Sequence, residues 1–232
     1  MPPLSLDAPS LAGATIVFDL DGTLVDTAPD LMGTLNHLLR REGLGELPLA
    51  SARSLVGQGA KAMLRRGFEA ADAPLADDQL TRLFDDFIDH YRAHIADLSR
   101  PFEGVTAALD HLATQGARLA VCTNKRTDLS VALLDALDMT HRFAAVIGAD
   151  RAPTPKPHAS HLLAAIGAAN GARDRAVMVG DSASDAGSAR AAGVPLVLVD
   201  FGYTDVPAHD LGADILISHF DRLPDACRRL IG

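Results

Sequence analysis

The chain has 232 residues, 48% of them hydrophobic, so it can bury a full-sized core and leaves room for a smaller companion domain. Its formal net charge of −9 argues against nucleic acids and anionic membrane surfaces as partners. Two widely spaced cysteines, no basic and apolar leader, and no apolar run of about 18 residues lead us to expect reduced thiols in a cytoplasmic protein.

Short apolar runs alternate along the chain with longer segments of helical periodicity. The runs are continuous in hydrophobicity, which is typical of strands buried on both faces of a parallel sheet. In chain order we expect strands at 14–20, 117–123, 144–148, 176–180, 195–200 and 213–217, and helices at 105–115, 127–137, 158–167, 184–192 and 221–230. This alternation predicts an α/β fold, a doubly wound, Rossmann-like parallel sheet with helices on both faces.

One region interrupts the alternation directly after the first strand. Between residues 27 and 97 the pattern predicts helices only, at 29–42, 49–56, 60–71 and 77–95. Residues 99–102 are interpreted as a connector, because proline restricts both itself and the residue before it. We therefore predict an all-helical cap domain, residues 27–97, inserted into a core formed by residues 11–26 and 98–232.

Polar side chains stand where several predicted strands end, and the carboxyl ends of parallel strands meet at one edge of a sheet. They are Asp19 and Asp21 after the first strand, Thr123, Asn124 and Lys125 after the second, Asp181, Ser182 and Asp185 after the fourth, and Lys156 in the loop before helix 158–167. Taken singly, each has a simpler explanation: turn chemistry for Asp19 and Asp21, helix capping for Asp181, a solvated loop for Lys156.

Several carboxylates in close company cannot all stay ionised without a compensating cation. Mg²⁺ suits such a site, because it binds one or two carboxylates together with water and phosphate oxygens. One carboxylate can then attack a phosphoryl group as a nucleophile, and a second can protonate the leaving oxygen and later activate water. A hydroxyl and a lysine would neutralise the charge on the transferring phosphoryl oxygens.

Four segments, DLDGTLVDT, VCTNK, PKP and GDSASDAGSARAAG, resemble the ordered signature motifs of the haloacid dehalogenase superfamily. The resemblance covers nearly the whole chain and puts the helical insert where that family has its cap. It implies the following catalytic roles: Asp19 as nucleophile, Asp21 as general acid/base, Thr123 with Asn124 beside it as phosphate contacts, and Lys156 as the group that steadies nucleophile and phosphate.

The same resemblance implies a Mg²⁺ cofactor held by Asp19, the backbone carbonyl of Asp21, and Asp181, with Asp185 orienting the waters on the metal. An aspartate at position 21 separates the chain from the dehalogenases proper, which resemble this core but have tyrosine there. Leu31 separates it from the phosphosugar mutases, which have a histidine at that place. A hydrolase fits the motifs better than either.

Within the superfamily the chain looks most like the phosphoglycolate phosphatases, on the segments LVGQGA, PFEGV and ARAAG. This implies a small phosphorylated metabolite as substrate, whose carboxylate would meet Arg53, Gly57 or Gln58 in the cap, where glycine amides precede a helix. Alternatives are a sugar-phosphate phosphatase or pyrophosphatase on the same scaffold, or a non-catalytic phosphate- or metal-responsive binding module. The sequence leaves open whether the protein is a monomer or a homodimer.

Overall fold

The computed structural model describes residues 11–232, apart from the side chain of Arg53, and shows a central sheet of six parallel strands. The strands of this part of the chain are β1 (Thr15–Phe18), β2 (Val25–Asp26), β3 (Arg100–Pro101), β4 (Arg118–Thr123), β5 (Ala145–Gly148), β6 (Ala176–Gly180), β7 (Leu196–Val199) and β8 (Ile215–Ile217). The sheet order is β5-β4-β1-β6-β7-β8, so the chain builds outward from β1 in both directions. This order confirms the predicted doubly wound fold.

The last five helices of the described chain cover both faces of the sheet, and the first four form a separate group. In chain order the helices are α1 (Ala28–Arg41), α2 (Ala52–Leu55), α3 (Ala60–Ala70), α4 (Asp77–Ala93), α5 (Val105–Thr114), α6 (Thr127–Ala136), α7 (Ala159–Ala168), α8 (Ala183–Ala192) and α9 (Leu223–Ile231), with 3₁₀ turns at Leu49–Ser51, Thr140–Arg142, Arg173–Arg175, Ala208–Asp210 and Phe220–Arg222. None of these described helices has the length and apolarity that crossing a membrane requires.

The side chains of β1 alternate between two apolar clusters, one on each face of the sheet. Ile16 and Phe18 belong to the cluster that α5 and α9 complete, and Val17 belongs to the cluster that α7 and α8 complete. The central strand is therefore buried on both sides, which explains why its sequence is apolar without alternation.

The helices α1 to α4, here called the helical unit, have a separate apolar core. It is built from side chains such as Leu35 of α1, Phe68 of α3 and Tyr91 of α4, each at most 2% exposed. Leu129 of α6 and Tyr203 join this cluster from the sheet side. The helical unit thus packs on segments that follow the strands, including the first turn of α6, rather than on the sheet itself.

The stretch 99–102 connects the helical unit to the sheet, as interpreted from the sequence, but it contains a short strand that the sequence pattern did not predict. β3 pairs antiparallel with β2, with Val25 opposite Pro101 and Asp26 opposite Arg100. Proline is tolerated in so short an edge strand, because it need not donate to a second neighbour. The two chain crossings between the helical unit and the sheet therefore lie side by side.

Asp30 in the first turn of α1 fastens the return crossing. Its carboxylate accepts hydrogen bonds from the backbone N–H groups of Leu98 and Ser99, at 3.0 and 2.7 Å, and from the Ser99 hydroxyl at 2.6 Å. Asp30 and Ser99 are both buried. These bonds tie the start of the helical unit to its end.

The predicted helix 49–56 is broken. A 3₁₀ turn leads into the four-residue helix α2, and the chain is extended at Val56. Gly57 and Gly59 follow with φ of 102° and 84°, values that residues with a side chain rarely adopt. The glycines therefore end α2 and let α3 start at Ala60 in a new direction.

Candidate active site

Three neighbouring strands deliver polar side chains to one edge of the sheet. Asp19 follows β1, Thr123 ends β4 and Asp181 follows β6. Because β1 pairs with β4 on one side and with β6 on the other, these residues meet at the carboxyl edge of the sheet. This is the point where the strand order changes direction. All three are at most 4% exposed. In open α/β sheets this crevice is the usual ligand site.

Lys156 holds two of the carboxylates together. Its Nζ lies 2.9 Å from Asp19 Oδ1 and 2.7 Å from Asp185 Oδ1, and its side chain is fully buried. Burial disfavours the ammonium form, but the two carboxylates outweigh burial and raise the pKa of Lys156 above its usual range. The backbone N–H of Lys156 donates to Nδ1 of His161 at 3.1 Å, whose Nε2 lies 3.0 Å from the Ile147 carbonyl. A neutral imidazole thereby anchors the lysine loop to the end of β5.

Asp185 is committed to contacts within the chain. Its Oδ1 takes the ion pair with Lys156, and its Oδ2 accepts from the Ser182 hydroxyl at 2.7 Å and from the backbone N–H groups of Ser182 and Asp181 at 3.0 and 3.2 Å. Ser182 is the N-cap of α8, so the pair forms a capping box. Asp185 therefore orients the loop that carries Asp181.

Asp181 is held from two sides. The Thr23 hydroxyl donates to its Oδ1 at 2.9 Å, and the backbone N–H of Tyr203 donates to its Oδ2 at 2.6 Å. A Cβ at Gly22 or at Gly202 would overlap this carboxylate. Glycine at these two positions is what allows the loops to close around Asp181.

The three acids form the group that could hold a metal ion. One carboxylate oxygen each from Asp19, Asp181 and Asp185 lies within 4.8 Å of the other two. Burial raises the pKa of Asp19 to about 7, neighbouring Asp185 and Asp21 add to the rise, and Lys156 opposes it. Burial, together with Asp185 and Asp19, raises the pKa of Asp181 well above its usual range. One lysine does not balance this charge, and an oxygen-liganded divalent cation fits the donor set.

Thr123 and Asn124 stand beside Asp19 at the end of β4. The Thr123 hydroxyl oxygen accepts the backbone N–H of Lys125 at 3.2 Å, which leaves its own O–H free to donate. The Asn124 amide donates to the Lys156 carbonyl at 3.2 Å, while its side-chain oxygen is buried with no partner among the described residues. Both residues line the cavity next to Asp19.

Asp21 is paired with a lysine to which the sequence analysis assigned no role. Lys125 Nζ lies 2.8 and 3.0 Å from the two carboxylate oxygens of Asp21. The same Nζ lies 4.6 Å from the ring centroid of Tyr91, a residue of α4 in the helical unit. Lys125 was recognised as a strand-end residue, but only the structure shows its partners.

A cavity of about 450 Å³ lies between the sheet edge and the helical unit. Its polar wall comes from the strand ends and its other wall from the helical unit, where apolar side chains predominate. The sheet-side wall includes Asp19, Asp21, Thr123, Asn124 and Lys125, and the helical wall includes Leu31, Val56, Met63, Phe84, Phe87, Ile88 and Tyr91.

Of the cap residues that the sequence analysis singled out, Gly57 and Gln58 line this cavity. The Gln58 side-chain oxygen accepts from Arg66 at 2.8 Å, which leaves the amide N–H groups available. Arg53 belongs to α2, and its side chain lies outside the described part of the structure. A Cβ at Gly59 would lie 3.4 Å from the Asn124 carbonyl, so this turn closely approaches the sheet edge.

Comparison with known protein families bears directly on this site. The family model described as haloacid dehalogenase-like hydrolase matches residues 16–199, which include every strand-end residue discussed above. The chain belongs to this family. This match confirms the family resemblance that the four motifs indicated.

Curated relatives match the hydrolase over nearly its full length. The phosphoglycolate phosphatase of Caulobacter vibrioides is 57% identical over 95% of this chain and 93% of that protein. The phosphoglycolate phosphatase of Agrobacterium fabrum is 45% identical over 90% of each. Among solved structures, a predicted phosphoglycolate phosphatase from Haemophilus somnus has a TM-score of 0.86 at 28% identity, covering 94% of this chain and 98% of that one.

Proposed function

We propose that the protein is a phosphatase that hydrolyses a small phosphomonoester, 2-phosphoglycolate, through an aspartyl-phosphate intermediate. The observation that carries the proposal is the buried Asp19 at the end of β1, ion-paired to Lys156 and facing a cavity that Asp21 and Thr123 also line. A nucleophilic carboxylate needs this kind of fixed cation beside it, and the transferring phosphoryl group needs donors.

In the proposed reaction Asp19 attacks phosphorus and displaces the leaving oxygen, which takes a proton from Asp21. Asp21 then removes a proton from the water that attacks the aspartyl-phosphate, so inorganic phosphate leaves and Asp19 is restored. The Thr123 hydroxyl and the Lys156 ammonium donate to the phosphoryl oxygens, with Asn124 beside them. Gln58 and Gly57 remain candidate substrate contacts from the helical unit, as does Arg53.

The cofactor of the proposed reaction is Mg²⁺, which would neutralise the charge on the transferring phosphoryl oxygens. Asp19, the backbone carbonyl of Asp21 and Asp181 would hold it. Asp185 would act indirectly, because both of its oxygens are already engaged by Lys156 and the α8 N-terminus. The raised pKa values of Asp19 and Asp181 support a cation at this place.

The choice of 2-phosphoglycolate rests on the relatives and on the cavity. The two curated relatives described above are phosphoglycolate phosphatases at 57% and 45% identity. A sugar phosphate would need several partners for its hydroxyl groups, whereas the helical wall of the cavity is largely apolar. The aspartate at position 21 favours a catalyst over a phosphate-responsive binding module. A module that signals by staying phosphorylated gains nothing from a residue that speeds the loss of its phosphoryl group.

Residues 27–97 are proposed to act as a cap that opens and closes over the site. Their separate apolar core and the paired crossings at β2 and β3 support a rigid unit on a two-stranded hinge. Closure would exclude water during phosphoryl transfer.

The test is steady-state phosphate release from 2-phosphoglycolate, pyrophosphate and several sugar phosphates, with Mg²⁺ and with a chelator. Asp19→Asn, which keeps the shape and loses the nucleophile, is the blank. We expect 2-phosphoglycolate to give the highest kcat/KM and the chelator to abolish turnover. A sugar phosphate or pyrophosphate in first place would refute the substrate, and equal rates for parent and Asp19→Asn would refute the reaction.

A further inference from the structure

Lys125 is a buried cation with more hydrogen-bond donors than its carboxylate partner uses. Its side chain is 5% exposed, and its Nζ contacts both carboxylate oxygens of Asp21. An ammonium group has three N–H donors, and two oxygens of one carboxylate occupy at most two in this arrangement. One donor therefore remains, on the side of the Tyr91 hydroxyl, for an acceptor that enters the cavity between the two groups.

Tyr91 presents a second donor at the same place, from the opposite wall. The residue is 1% exposed, and its hydroxyl interacts with the Lys125 ammonium but has no other hydrogen-bond partner among the described residues. Burial raises the pKa of Tyr91 to about 12, so the hydroxyl keeps its proton and can donate. A buried hydroxyl whose proton has no acceptor costs free energy, which an entering acceptor would recover. The ring lies 4.6 Å from Lys125 Nζ, so both donors belong to one small region.

No other cation lining the cavity is buried in the described chain. Lys61 and Arg126 also line it, but both residues are exposed. The guanidinium of Arg126 is already paired with Asp128 at 3.0 Å. The remaining helical wall is largely apolar and carries no other buried charge among the described residues, so an anionic group entering the cavity finds its buried charge partner at Lys125.

This region lies on the leaving-group side of the proposed reaction. Lys125 contacts Asp21, the residue that would protonate the leaving oxygen, and Asp19 lines the same cavity two positions earlier in the chain. A group bound by Lys125 is therefore attached to the leaving oxygen rather than to phosphorus. In 2-phosphoglycolate that group is the carboxylate.

We infer that Lys125 and Tyr91 bind the carboxylate of the substrate and thereby select phosphorylated hydroxy acids over plain phosphate esters. The inference rests on the proposed function and moves the carboxylate from the cap turn at Gly57 and Gln58 to a lysine of the sheet edge. The Lys125 ammonium and the Tyr91 hydroxyl donate to the two carboxylate oxygens, while Asp21 stays beside the leaving oxygen.

The test compares 2-phosphoglycolate with ethyl phosphate, an ester of the same length without the carboxylate. The parent enzyme is expected to prefer 2-phosphoglycolate by about 100-fold or more in kcat/KM, and Lys125→Met to reduce that preference to about 10-fold or less. Lys61→Met is the matched control, because it removes the same charge from the exposed rim of the same cavity. It should leave the preference within about threefold of the parent value.

The ratio between the two substrates separates recognition from a structural role. If Lys125→Met slows both esters by the same factor, the lysine only positions Asp21 and the inference is overturned. It is likewise overturned if Lys61→Met, and not Lys125→Met, erases the preference. A parent enzyme that hydrolyses both esters equally well refutes the proposed substrate itself, which is a different failure.

Lys125→Met leaves Asp21 without its ion-pair partner, and a variant that failed to fold would give no kinetic result. Tyr91→Phe is therefore a second test of the same inference. This change removes a single hydroxyl whose one interaction in the described chain is with Lys125, and Lys125 keeps its ion pair with Asp21, so the fold should survive. We expect kcat/KM for 2-phosphoglycolate to fall by about 3- to 10-fold more than kcat/KM for ethyl phosphate. An unchanged preference in a folded Tyr91→Phe enzyme would overturn the inference.

Discussion

In the metal-free protein, the crowding of carboxylates at the sheet edge makes the free energy of unfolding depend on pH. The pKa of Asp19 is about 7 in the folded chain, against 3.8 for an unperturbed carboxyl group. Because the folded state holds this proton more tightly than the unfolded state, the free energy of unfolding falls as pH rises between those two values. From about pH 5 to about pH 8 this group alone accounts for a loss of about 2–3 kcal/mol, at about 1.4 kcal/mol per pKa unit.

Urea unfolding with a chelator at the two pH values measures this loss, and Asp19→Asn is the control. The asparagine cannot titrate, so its profile should lack the part of the loss that Asp19 contributes. Saturating Mg²⁺ should remove the same part from the parent, because a bound cation keeps the carboxylate ionised in the folded state. Parallel profiles for parent and Asp19→Asn would refute the carboxylate crowding. A loss that persists in Mg²⁺ would refute the cation site.

Three further changes test what holds the site. Asp30→Ala leaves the hydrogen-bond donors of Leu98 and Ser99 unpaired and should lower the free energy of unfolding, measured in urea, by about 2–3 kcal/mol. Asp30→Asn should lower it by less. A variant as stable as the parent would contradict a stabilising role for these hydrogen bonds. Gly202→Ala, whose Cβ overlaps Asp181, should weaken Mg²⁺ binding in calorimetry by about 10-fold or more, whereas Gly167→Ala, with open space around its Cβ, should not. Lys156→Met should lower kcat by about 100-fold or more, Lys156→Arg by less, and an unchanged kcat would remove the lysine from the reaction.

The sheet and the polar edge could be predicted because both follow from rules that act along the chain. Runs such as residues 16–18 are apolar at every position, and short continuous apolar runs that alternate with helical segments are typical of strands covered on both faces. Once the strands are parallel, Asp19, Thr123 and Asp181 must end at the same edge. Their convergence needed no knowledge of the packing.

Contacts between the helical unit and the sheet edge could not be predicted in the same way. The spacing of Phe87 and Tyr91 puts both on one face of α4, but no periodicity shows which of its neighbours that face meets. The pairing of Lys125 with Asp21 joins residues 104 positions apart, and either side chain could have pointed to solvent. The β2–β3 pair is only two residues long, too short to leave a pattern in the sequence.

In the proposed reaction Asp19 carries the phosphoryl group between the two steps, and a single-turnover experiment detects that intermediate directly. 2-Phosphoglycolate with a radioactive label on phosphorus is mixed with the enzyme and Mg²⁺ under single-turnover conditions. The reaction is stopped with acid at successive times, the protein is digested, and the radioactivity of each peptide is measured. Transient label on the peptide that contains Asp19, absent from Asp19→Asn and longer-lived in Asp21→Asn, is the predicted result. Release of labelled phosphate with no label on the protein at any time, in the parent and in Asp21→Asn alike, would contradict it.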